Sequence, residues 1–299
     1  MSIKNKEEEL IKEFEKTRAG MKRNFTQIAD TFTFEIKKNF KTFIIMLIFF
    51  MIIFTLFSIV LYLQEIQEVP LPDDPIDYLT TYLSMIGFLI ILSTSGFAGS
   101  IIAEDFQKQT GNLLFPKISK IRLFIGRIMS RYLLNAVCII VYYTLVSTIT
   151  FIKYEEFPPI ILTSLGWALF YTLSMFAFVT FLSSLMKSTS ATIITSIIFY
   201  LMVFSLILQM MAFFAGGQEP FFLITYYENI ITAIFNMPDP RYRELTFGGP
   251  RMGGGPEITF TQWITPDELT AFIGMLLYAV ILLTLAYLRY RTRQSKSEV

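Results

Sequence analysis

The sequence predicts an all-α integral membrane protein, with six transmembrane helices preceded by an amphipathic interfacial helix. Three observations predict it. Apolar residues make up 54% of the 299-residue chain and charged residues 16%, with a mean hydropathy of +0.54; a soluble domain runs at about 45–50% apolar and about 25% charged. The apolar excess is gathered into blocks that contain no Asp, Glu, Lys or Arg: Thr42–Leu63, Tyr78–Ala103, Tyr132–Ile152, Phe157–Met186, Ser188–Gln218 and Leu269–Leu288. Each block can cross a hydrocarbon core of roughly 30 Å, which takes about 20 helical residues. The blocks also lack the period-2 alternation of a β-barrel. Helices are the default because hydrocarbon cannot satisfy an open backbone.

The N-terminal segment 1–41 is charged and reads as two helices. In 3–20, Glu8–Lys12 and Glu15–Arg18 fall at helix-pairing spacing, as in a solvated helix. Next, Phe25, Ile28, Ala29, Phe32, Ile36 and Phe40 share one face, opposite Thr26, Gln27, Asp30, Lys37, Lys38 and Lys41. Such a helix is expected to lie in the membrane surface and turn into the first span. A soluble helix packed on a partner is the alternative. The segment has no secretory cleavage pattern, so the first apolar block is expected to be a retained span.

After the first span, "QEIQEVPLPDDPID" carries five acids and no base, as an outer loop would. The third span could start earlier, at Leu123. "FFLITYYENIITAIF", Phe221–Phe235, is too short to cross and contains Glu228 and Asn229. It reads as an interfacial or re-entrant helix, or else as an extension of the preceding span past Gly216–Gly217. The loop 218–266 is rich in proline and glycine, which argues against regular structure through its middle. Its "RMGGGP" reads as a turn.

Basic residues set the orientation. With six spans, 21 Lys and Arg fall on the side of the termini, and four (Lys153, Arg241, Arg243, Arg251) fall opposite. The positive-inside rule then predicts a multi-pass cell-membrane protein with both termini cytoplasmic and 289–299 as a basic cytoplasmic tail. The transmembrane domain runs over 42–288.

On this topology the stretch "IIAEDFQKQTGNLLFPKISKIRLFIGR" includes a cytoplasmic loop, 104–122, between the second and third spans. Glu104 and Asp105 mark the exit from the membrane. Phe106, Leu113, Leu114 and Phe115 are apolar anchors among polar residues, and Pro116 ends the short helix they imply. Arg122, Arg127 and Arg131 recur as the chain re-enters, where they are expected to snorkel. Exposed Phe and Leu side chains of such a loop need a protein or lipid surface to cover them.

Acid-Phe-x-Lys-x-Thr-Gly-x-x-Leu-Phe-Pro followed by Ile-Ser-Lys and Gly-Arg resembles the second-span exit of ATP-binding-cassette (ABC) type-2 transporter permeases. Asp105, Thr110, the apolar turn Leu113–Leu114–Phe115 and Gly126–Arg127 carry the resemblance. The acid is doubled here, Pro116 falls one place early, and Lys120 stands where such permeases have Arg. The resemblance implies that the loop is a coupling helix docking into an ATP-hydrolysing subunit. Its residues would be Glu104, Asp105, Phe106, Lys108, Thr110, Gly111, Leu113, Leu114, Phe115 and Pro116. It further implies two ABC ATPase subunits that bind the ATP and Mg, and a second permease copy or homologous permease.

The residues themselves exclude several chemistries. There is no histidine and one cysteine, Cys138, so His-based catalysis, His metal sites and intrachain disulfides are absent. No phosphate-binding loop, zinc-protease or nucleophile-elbow motif occurs. The chain therefore reads as a permease rather than an enzyme, with no cofactor of its own and no nucleic-acid partner. An embedded adaptor, a channel subunit or a lipid-processing enzyme without an ATPase partner is the alternative. "STSGFAGS" offers small-x-x-x-small pairs for close helix packing. Asn135 and Gln209 are the candidate residues of a translocation cavity. No charge falls in the middle of a span, which favours an apolar or amphipathic cargo over a bare ion.

Overall fold

The computed structural model describes residues 3–67, 72–107, 119–214, 218–249 and 255–295. Most of the described residues are helical. In order it forms α1 (Ile3–Ile66), α2 (Pro75–Leu83), α3 (Ile86–Ala98), α4 (Ala103–Gln107), α5 (Lys120–Tyr154), α6 (Ile160–Leu185) and α7 (Thr189–Ile198). A π-helical turn, Phe199–Phe204, leads into α8 (Ser205–Phe214). A 3-10 helix, Ile224–Asn229, leads into α9 (Ile230–Ala233); strands β1 (Tyr242–Gly249) and β2 (Gly255–Trp263) and helix α10 (Glu268–Ser295) complete the fold.

Among the described residues, six helical stretches are long and apolar enough to cross a membrane: Phe25–Ile66, Pro75–Ala98, Lys120–Tyr154, Ile160–Leu185, Thr189–Phe214 and Glu268–Thr292. All six expected blocks fall within or overlap these stretches. Local signals set their ends. Asp74 caps α2 through a bond from the Ile76 amide, with Pro75 in the first turn. Ser188 caps α7 by accepting from the Ala191 amide. Glu155, in the left-handed region at φ 56°, ends α5 just before Pro158 and Pro159.

The spans divide into two groups. In Pro75–Ala98, Lys120–Tyr154 and Ile160–Leu185, half or more of the apolar window is buried; in Phe25–Ile66 and Thr189–Phe214 the share is 11%. The core is therefore α2–α3, α5 and α6, with α1 packed along α5 and α10 along α6. The small residues of "STSGFAGS" serve this packing. The Ser95 and Ser196 hydroxyls lie 2.7 Å apart, and a Cβ at Gly96 would collide with the Met46 methyl.

Two expectations about elements need correction. The N-terminal segment is one continuous helix through Ile66, not two. Its inward face is polar, with Thr31, Glu35 and Asn39 buried, while Phe25 and Phe40 are exposed. Second, the loop 218–266 contains an antiparallel hairpin, β1 with β2, in one register from Tyr242 opposite Trp263 to Phe247 opposite Ile258, with a shift before Gly249 opposite Gly255. Gly and Pro crowd the sequence of its turn, whereas the strands alternate Thr, Phe, Leu, Ile and Trp, which suit a pleated surface. Positions 216–217 and 251–254, which carry the expected kink and most of "RMGGGP", lie outside the described residues. The Arg241 guanidinium lies 5.6 Å from the centre of the Trp263 ring, and Phe213 of α8 meets Phe260 edge-on at 4.5 Å.

Candidate functional site

At the end of the bundle away from the hairpin, a cluster of charges gathers where the second candidate span ends. It comes from four elements. Glu35 lies on α1, Glu104 and Asp105 on α4, Arg127 and Arg131 on α5, and Tyr290 on α10. Arg127 and Arg131 are four apart and so share a face. Gly126, beside them, lets α1 approach: a Cβ there would lie 2.9 Å from the Thr31 side chain and 3.1 Å from the Ile28 carbonyl.

The geometry is specific. Arg127 grips Asp105 through two bonds, Nη1 to Oδ2 at 2.6 Å and Nη2 to Oδ1 at 3.0 Å. Its Nε donates to Glu35 Oε1 at 3.2 Å. Arg131 donates to Glu35 Oε2 from Nε at 3.0 Å and Nη2 at 2.7 Å, and also to the Phe97 carbonyl and the Ser100 hydroxyl. Lys38 closes the set with a 2.8 Å bond to Glu104, which Arg131 also approaches at 3.5 Å. The Tyr290 hydroxyl donates to Asp105 Oδ2 at 2.8 Å. Three acids thus face three bases, and the Glu35, Asp105, Arg127 and Arg131 side chains are at most 5% exposed. Buried charges at this density are tolerable only when paired and fully hydrogen-bonded.

The expectation that Arg127 and Arg131 snorkel is not met. They turn inward because α1 and α4 supply carboxylates at the same level. Arg122 instead finds a partner on α1, donating to Gln27 Oε1 at 2.6 Å. Ser183 of α6 completes the bend into α4: its hydroxyl donates to the Gly99 carbonyl at 2.9 Å and accepts from the Ile102 and Ala103 amides.

Of the loop residues singled out in the sequence, Glu104 and Asp105 belong to this cluster. Phe106 packs partly buried against the core. Lys108, Thr110, Gly111, Leu113, Leu114, Phe115 and Pro116 lie outside the described residues. The two candidate cavity residues are not brought together. Asn135 is fully buried, with Nδ2 donating to Thr94 at 2.9 Å and Oδ1 accepting no bond among the described residues. Gln209 is exposed on α8, a helix with no buried residue.

A second polar centre sits at mid-depth. The segment Phe221–Phe235 does not extend the preceding span; it folds back as the 3-10 helix and α9 against α6 and α10. The Ser164 hydroxyl donates to the Ile231 carbonyl at 2.6 Å, and Asn229 donates to the Ile264 carbonyl at 2.6 Å. This places Glu228 among three spans. Tyr171 donates to its Oε2 at 3.2 Å, and Tyr200, on the π-helical turn, reaches both oxygens at 3.0 and 2.8 Å. Gly87 backs it so closely that a Cβ there would overlap the carboxyl group. Gly87, Tyr171 and Tyr200 each lie near the midpoint of spans of 24, 26 and 26 residues.

Glu35, Tyr290 and Glu228 are members of these two centres that the sequence reading does not assign to a site. Thr31, Glu35 and Asn39 at spacings of four form a legible polar stripe, and two Arg at the same spacing are its match. Glu228 stands out as the lone acid of an apolar segment, but nothing in the sequence places it at mid-depth.

No family model matches the chain, and no curated protein matches it.

Proposed function

We propose that the chain is the membrane-spanning permease subunit of an ABC transporter, an exporter that couples ATP hydrolysis in a separate subunit to movement of substrate across the membrane. The chain would pair with a second permease and two ATPase subunits, with both termini in the cytoplasm. Two things support this reading: the resemblance of the 104–127 stretch, and the way the root of that loop is fastened.

The fastening carries the reading. A lever transmits force only if its base is rigid. Here the base, Glu104–Asp105, is tied by Arg127 and Arg131 to α5, through them to Glu35 of α1, and by Tyr290 to α10. Displacing the loop by a few ångströms would therefore move four elements together. Arg–carboxylate forks suit this task because they fix orientation as well as distance.

Purification of the full chain from its native membranes tests the proposal. An ATP-hydrolysing subunit should co-purify and should be lost when Phe106→Ala is combined with Leu114→Asp. Recovery of no such companion under mild detergent, or labelling of 104–122 from outside the cell, would overturn it.

A further inference from the structure

We propose that Glu228, clamped by Tyr171 and Tyr200, is a proton-binding site at the mid-depth of the helix bundle. It stands apart from the permease assignment and does not need it.

The first observation is the environment of the carboxyl. Two phenol hydroxyls bond it, at 2.8 to 3.2 Å, and no base supports it among the described residues. A carboxylate at membrane depth without a cation is held at a free-energy cost that two neutral hydrogen bonds offset only in part. The position therefore favours taking up positive charge. Among the described residues the elements packed around it bring phenols: Tyr171 from α6, Tyr200 from the π-helical turn, Tyr227 from its own segment with its hydroxyl given to the Phe221 carbonyl, and Tyr278 from α10 with its hydroxyl given to the Phe222 carbonyl; Tyr226 turns its hydroxyl to Glu219, which Arg241 neutralises. The helix α3 contributes no titratable side chain, only the backbone of Gly87.

The second observation is the pair of phenols. A tyrosine hydroxyl is both donor and acceptor. With Glu228 ionised, both hydroxyls donate to it, as the distances show. With Glu228 neutral, its own O–H donates to one phenol oxygen while the other phenol donates to the remaining carbonyl oxygen. The carboxyl keeps both phenols as partners in either state, and in the neutral state the phenol that accepts turns its own O–H to water, so a proton can come and go in place. The step is a transfer from hydronium: an O–H bond forms on the carboxyl, an O–H bond of hydronium breaks, and water leaves. Glu228 is mostly buried but not sealed on every side, and the proton would enter by the side left open. A hard metal cation would want about six oxygens, whereas the clamp supplies only the two carboxyl and two phenol oxygens. Gly87 closes one face against anything bulky.

The third is the backbone. Tyr200 sits in the π-helical turn Phe199–Phe204, a wider turn that re-aims side chains and concentrates at functional positions.

Infrared difference spectroscopy on the full chain in lipid nanodiscs, titrated from about pH 5 to about pH 9, covers the range open to a carboxyl in a buried site. The carbonyl stretch of a protonated acid should grow as pH falls, and Glu228→Gln should abolish it. Tyr200→Phe and Tyr171→Phe each remove a donor to the anion, so each should raise the midpoint by roughly one unit, a tenfold gain in proton affinity. Three results would overturn the site: no titrating acid band, a band that survives Glu228→Gln, or a midpoint unmoved by both Tyr substitutions. A midpoint that moves to lower pH as sodium or lithium is added would reassign the site to a metal cation. If Glu228→Gln fails to fold, the Tyr200→Phe shift, with unchanged circular dichroism, decides alone. Presence or absence of an ATPase partner leaves every one of these readouts unchanged.

Discussion

The bundle holds two buried polar centres built on opposite principles. At the end of the second candidate span, three carboxylates meet three cations and nearly every polar atom is spoken for. At mid-depth, one carboxyl meets two phenols and no cation among the described residues. The first arrangement is costly to break, as a mechanical joint should be. The second keeps its partners in either protonation state, as a binding site should. Burial alone thus does not tell structural charge from functional charge; the sign of the neighbours does.

The sharpest way to break the comparison is to unpair the joint. Arg131→Ala or Glu35→Ala strands opposite charges in a buried setting and should cost about 3–5 kcal/mol. The measurement is thermal unfolding in detergent, or loss of folded yield. The joint substitution Glu35→Ala with Arg131→Ala should cost less than the sum of the two singles in a double-mutant cycle, because neither charge is left alone.

Glu228→Gln should behave differently. An amide can accept from one tyrosine and donate to the other, so unfolding should shift by no more than about 1.5 kcal/mol. A loss as large as that of Arg131→Ala would place Glu228 with the structural charges and erase the contrast.

Close approach sharpens the comparison at a smaller scale. Gly126→Val forces a side chain against Thr31 and the Ile28 carbonyl, and should cost about 1–3 kcal/mol by separating α1 from α5. Its cleanest readout is the α1–α5 separation by paired spin labels, which should widen.

The smallest effect lies at the solvent-facing end. Asp267 caps α10 by accepting from the Thr270 amide at 3.0 Å and the Thr270 hydroxyl at 2.7 Å. The hydroxyl bond, then the amide bond, hold its carboxyl below the ordinary value of 3.8. A lowered folded value means the stabilisation is complete above 3.8 and is lost as pH falls through the folded value. Asp267→Ala should cost about 1 kcal/mol at neutral pH and show a weaker acid dependence of unfolding than the parent.

Much of this is legible in one dimension, and what is not has identifiable causes. The spans can be read because a block free of charge over about 20 residues is what hydrocarbon demands and water does not. The short segment 221–235 is recognisable as non-spanning from its length. The hairpin is hidden because the glycines and prolines of its turn mask the strands on either side. The Arg pair is ambiguous because a base near a membrane end has two destinations, solvent or a buried acid. The choice here depends on Glu35, 92 and 96 positions away from the two guanidinium groups it accepts from. Gln209 resembles a cavity residue only if its span faces inward, whereas α8 is peripheral.

By itself, then, the sequence determined that the chain must be helical and apolar enough to cross a bilayer six times, because composition and length fix the solvent a segment can occupy. The tertiary structure alone decided which charges neutralise one another and which carboxyl stands without a counter-charge among the described residues. Coulombic partners are set by proximity in space, and helices that meet side by side bring together residues that no local pattern connects.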